Sequence, residues 1–179
     1  MASDYGLNFG WRRSDETYRV AEGRHRTPKT GPILLQGTCV EIDPDNPGYL
    51  KVATAGAPPV TGVRGVLLQE EAHFFSIYEV ESTTSFRLGL TKPNTLSVIT
   101  NGAGAKVWFR NTQPKTQIDG HAVPGVALVD FTATIAVGDG LAWGPAQKWV
   151  RVAPGDATAH FTVTEVDNAK QYLEAVFVK

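Results

Sequence analysis

Few residues in this 179-residue chain have the types and spacing that chemistry requires. Asp43-Pro44-Asp45-Asn46-Pro47-Gly48 has the spaced carboxylates and following glycine of a calcium loop's start. Pro47 stands where another oxygen ligand belongs, and no Glu closes the far end. A plain turn is expected there. Glu70 and His73, with Glu71 between, give a Glu-x-x-His pair, but a di-metal site needs a second, matching pair, and none exists. A solvated polar segment is expected. His25, His73, His121 and His160 lie far apart, and the single Cys39 offers no companion thiol, so zinc lacks its ligands. No Gly-x-Ser-x-Gly elbow marks a nucleophilic serine. A hydrolase with a dispersed site would need convergent polar groups of which the sequence shows no trace. Gly102-Ala103-Gly104-Ala105-Lys106 lacks the Gly-Lys-Ser/Thr ending of a phosphate cradle, and the VWFR that follows reads as a strand. The expectation is a protein without catalytic residues, metal or cofactor.

Aromatic residues carry more information. Trp143 and Trp149 flank GPAQK, a loop that would bring two indoles together across a hairpin, with cross-strand stabilisation of order 1 kcal/mol. Packing is the expected use. A carbohydrate platform built on Trp143, Trp149 or Trp108 is the sharper alternative. In the first thirty residues, Tyr5, Leu7, Phe9 and Trp11 alternate with period two, and Tyr18 and Val20 follow. Such side chains are costly to leave in water. The pattern suits an extended segment added to a partner's sheet edge, with backbone bonds for affinity and alternate side chains for pockets. Arg12 and Arg13 suit acidic groups at the rim.

These residues sit on two kinds of chain. Met1 to Thr30 is polar and arginine-rich, with six basic and four acidic side chains, and reads as an N-terminal arm of charge +2. Gly31 to Lys179 has 11 basic and 14 acidic residues, charge −3. The total of −1 gives no pull toward nucleic acid or a membrane surface, and the arm neutralises few phosphates. No leader-like start and no run of about 18 apolar residues is present. Cys39, within GTCVEI, is expected to be a small buried side chain.

Beyond the arm, short apolar or alternating runs are bounded by Gly, Pro, Asn and Asp. Strands are expected at residues 38–42, 49–53, 63–69, 96–100, 105–110, 125–130, 141–143, 148–152, 160–166 and 172–178. Asn101 to Ala105 is expected to be a tight reversal between two of them. Gln69 to Val80 is the one stretch suited to a short helix or an irregular excursion, and Asp167 to Gln171 reads as a turn. Strand-like runs about ten residues apart favour a mainly β chain, a single barrel or sandwich-like domain over 31–179 with the extended arm over 1–30.

The segment Gly37 to Glu70, GTCVEIDPDNPGYLKVATAGAPPVTGVRGVLLQE, resembles the core of tailed-phage capsid decoration, or cement, proteins. That family shows a strand, a turn, a strand ending in an Ala/Gly-rich loop, and a strand like Gly62 to Glu70. VITNGAGAKVWFRN and GDGLAWGPAQKWVRV look like head decoration proteins of phages infecting actinobacteria. The resemblance implies a β-rich virion protein on the outer surface of an assembled head. Its partner would be the major capsid protein, and it would self-associate as a trimer at threefold or quasi-threefold positions. The arm residues Tyr5, Leu7, Phe9, Trp11, Arg12, Arg13 and Tyr18 are the candidate partner-binding set. A tail or head-fibre component is the alternative within the virion.

Overall fold

The computed structural model describes residues 9–12, 19–22, 36–45, 50–56, 64–67, 97–101, 104–113, 115–116, 122–123 and 125–178. The protein is mainly β, built from antiparallel sheets with almost no helix. The strands are β1 (Phe9–Arg12), β2 (Arg19–Glu22), β3 (Cys39–Ile42), β4 (Leu50–Val52), β5 (Arg64–Leu67), β6 (Ser97–Asn101) and β7 (Lys106–Arg110). They continue with β8 (Lys115–Thr116), β9 (Ala122–Val123), β10 (Gly140–Trp143), β11 (Trp149–Val152), β12 (Phe161–Asp167) and β13 (Tyr172–Phe177). The chain divides into two compact units, one of Met1–Tyr18 with Gly102–Lys179, the other of Arg19–Asn101.

The first unit holds a six-stranded sheet in the order β1-β7-β13-β12-β10-β11. Period-two alternation explains its central strands. In β7, Val107 and Phe109 are buried between exposed Lys106 and Arg110; in β13, Leu173, Ala175 and Phe177 are buried. The inward row meets an aromatic core. Trp149 lies 4.9 Å from Trp143 and 4.8 Å from Phe161, both edge to face, and Phe161 lies 4.2 Å from Phe177. Offset and edge contacts of this kind match the ring quadrupoles. A bulge in β12 between Val163 and Glu165 keeps Leu173 and Ala175 in phase with their partners.

Residues 125–139 form a strap along this unit and bury Leu128, Val129 and Ile135. Gly125 to Asp130, expected as a strand, makes only two isolated bridges, Thr112 with Val126 and Val129 with Trp149. The reason lies in its partners. Leu128 C=O accepts from Trp149 N–H and Asp130 N–H donates to Trp149 C=O, each at 2.8 Å, but Val129 pairs on its other side with a side chain, Asn111. Asn168 holds Ile135 in the same two-bond manner.

The second unit holds the five-stranded sheet β2-β6-β5-β3-β4. Val40, Leu50 and Leu67 form its described core, with Ile42 and Val52 against them. The opposite face carries Cys39, Glu41 and Val66, also buried. Glu41 stands directly across from Lys51 on one side and Arg64 on the other.

The reversal expected at Asn101 to Ala105 is not a hairpin. β6 belongs to the five-stranded sheet and β7 to the six-stranded one. Gly104 does take a positive φ of 87°, but the strands on either side belong to different sheets. Both strands already have two neighbours each, β2 and β5 for β6, β1 and β13 for β7. The segment 69–80, read as a possible helix, and the arm's expected boundary at Thr30 lie outside the described residues.

Candidate functional site

Of the arm residues singled out from the sequence, Phe9, Trp11 and Arg12 fall in β1, while Tyr5, Leu7, Arg13 and Tyr18 lie outside the described residues. The arm was expected to lie extended against other subunits. Its two described stretches supply strands to the chain's own sheets: β1 pairs with β7, and β2 with β6. The physical reason is visible in the register. Phe9 stands opposite Phe109 and Trp11 opposite Val107, the two buried positions of β7, so the alternation finds a matching strand within its own chain.

The hydrogen-bonding sense of this edge follows from β13. Phe177 N–H donates to Ala105 C=O and Asn111 N–H to Gln171 C=O, which turns the odd-numbered residues of β7 toward β13. The backbone groups of Lys106 and Trp108 therefore face β1, opposite Arg12 and Gly10. By the same alternation, the backbone N–H and C=O groups of Phe9 and Trp11 point away from β7. Among the described residues β1 is the outermost strand of its sheet, so this row forms a sheet edge of the kind that pairs with another chain. The opposite edge, β11, is partly covered by the strap at Trp149.

Sequence reasoning missed β7 as the receiver of the arm, and with it Lys106, Trp108 and Arg110. The KVWFR alternation gave the strand but not its neighbour. Two basic residues, Arg12 and Lys106, oppose each other at one end of this pairing, and Gly10 opposes the half-buried Trp108.

Of the remaining chemical candidates, those described take part in local packing and turns. Asp43 accepts a bond from Asp45 N–H at 3.1 Å, a local turn. Among the described residues, no three His, Cys, Asp or Glu side chains come together as metal ligands. Glu70, Glu71, His73 and His121 lie outside the described residues. His160 lies 5.5 Å from the Trp149 ring, its Nδ1 3.1 Å from Thr158 C=O. Burial pushes the Cys39 thiol up to about 12, with the nearby Arg64 charge opposing and Glu41 adding. A thiol so seated is a poor nucleophile. Trp143 and Trp149 do meet across the β10–β11 hairpin, but they are 5% and 0% exposed and offer no platform to a sugar. No helix among the described residues is long and apolar enough to cross a membrane.

No family model, curated protein or solved structure matches the chain.

Proposed function

We propose that this is a capsid decoration protein that binds the outside of an assembled phage head and works by binding alone. The observation that supports this best is the path of Cys39 to Leu67. Strand β3, the turn after Asp43, strand β4, the loop from Ala53 to Gly56, and strand β5 follow one another in the order that the resemblance implies for Gly37 to Glu70. The edge at β1, outermost of the described strands in its sheet, supports it as well, because backbone pairing gives affinity for a lattice of identical subunits without a pocket. Repetition of one weak contact over a head also gives avidity without a large single interface. The reading includes a barrel or sandwich-like closure of the strands, trimers at threefold or quasi-threefold positions, and the major capsid protein as partner.

The test is binding of the purified protein to undecorated heads of the phage that encodes it. Co-sedimentation that saturates at a fixed number of copies per head, with density at symmetric positions on the shell, is the expected result. Absence from heads, or localisation at the tail, removes the proposal.

A further inference from the structure

We propose that β1 is an exchangeable strand, so that Phe9–Arg12 of one copy completes the six-stranded sheet of a second copy by pairing with its Lys106–Arg110. The partner is thus another molecule of this chain. The inference does not depend on capsid binding.

Among the described residues, β1 is tied to its sheet by pairing with β7 alone, and it sits at the edge. Along the chain it is separated from β7 by residues 19–101, which form the other compact unit. The link between β1 and its own sheet is therefore long-range. Nothing in β7 distinguishes the β1 of its own chain from that of a second copy, because the register from Phe9↔Phe109 to Arg12↔Lys106 is identical in both cases. The exchanged and unexchanged forms contain the same bonds, and local concentration decides between them.

The strand is also weakly fixed for its position. It has four residues, and one of its two hydrogen-bonded positions is Gly10, which packs nothing against Trp108. The other is Arg12, the last residue of the strand. When β1 leaves, Lys106 and Trp108 lose their backbone partners. The vacant edge is thus a strong acceptor, and its best-matched occupant is a second β1.

The test needs no capsid. Full-length protein is refolded from denaturant at low and at high concentration and its mass measured by sedimentation. A shift from single chains to multimers with concentration is expected, with its loss in Gly10→Pro, which removes a backbone donor aimed at β7. In parallel, a Gly10→Cys chain is mixed with a Trp108→Cys chain, refolded together and oxidised. A hydrogen-bonded antiparallel pair brings Cα atoms about 5.5 Å apart, within disulfide range. Cross-linked dimers containing one chain of each kind are expected. Wild type that stays single at every concentration, multimers that persist in Gly10→Pro, or a mixture without mixed dimers overturns the proposal.

Discussion

Asn111 holds Val129 by both of its backbone polar groups. The Asn111 Nδ2 donates to Val129 C=O at 2.7 Å, and Val129 N–H donates to Asn111 Oδ1 at 3.1 Å. One side-chain amide thus takes the place of a neighbouring strand. On the other side of the strap, Leu128 and Asp130 pair with Trp149 of β11. Val129 is 1% exposed, so water is a poor substitute for either bond.

Asn111→Ala leaves both groups of Val129 buried without partners. A loss of about 2–3 kcal/mol is expected from two such groups. The midpoint of urea unfolding should fall accordingly, and hydrogen exchange at Val129 should accelerate more than at Leu173 in the sheet centre. Equal acceleration at both sites would mean that Asn111 supports the whole unit and not the strap.

This relationship marks the limit of what the sequence made legible. Strands such as β7 and β13 were readable because Val107, Phe109, Leu173, Ala175 and Phe177 repeat with period two. The strap looked like another strand, since VALV is apolar. Part of its pairing runs through the side-chain amides of Asn111 and Asn168, which carry no local signature. Gly104 takes the positive φ that turn chemistry suggests, yet turn chemistry does not say whether the strands on either side pair with each other. The alternating arm was legible as a strand seeking an edge. Its match to Val107 and Phe109 is a contact across nearly a hundred residues, beyond what local pattern can reveal.

Gly144 is required by space and not by backbone conformation. Its φ of −102° suits any residue, but an added Cβ would lie 2.5 and 2.7 Å from the two methyls of Val150. Gly144→Ala is expected to cost about 1–3 kcal/mol, the usual range for overpacking. Val150→Ala removes both methyls, so the double variant should recover part of the loss. A double variant as unstable as the sum of the two single changes would show that the strain lies elsewhere in the β10–β11 turn.

Asp139 sets a pH dependence. Its carboxylate accepts from Arg151 Nε at 2.6 Å and from Ala136 N–H at 2.8 Å, and these bonds hold its pKa below the ordinary carboxylate value. A group with a lowered folded-state pKa stabilises the fold fully above its unfolded-state value, about 3.9, and loses that contribution as pH falls through the folded value. Asp139→Asn should therefore lower the thermal midpoint at pH 7. The gap to wild type should narrow below about pH 4. A constant gap from pH 7 down to pH 2 would contradict an ionic role. The Arg151 side chain is 45% exposed, so salt should reduce the effect in part.

Glu41 is the charge on which the second unit's inner ladder depends. It is 2% exposed, with Arg64 Nη2 at 2.9 Å and Lys51 Nζ at 3.6 Å from its two oxygens. Arg64 also donates to Thr54 C=O at 3.1 Å, and its side chain is only 14% exposed. Removing the carboxylate alone strands a guanidinium in a dry site, so Glu41→Leu is expected to cost about 3 kcal/mol or more. Replacing both partners removes the stranded charge as well. Glu41→Leu with Arg64→Met should then be markedly more stable than Glu41→Leu alone, because the cost lies in the uncompensated ion and not in the absence of the pair. Urea unfolding of the two variants decides the matter. If the double variant is the less stable of the two, the pair contributes net stability to the sheet, and its role is more than mutual neutralisation.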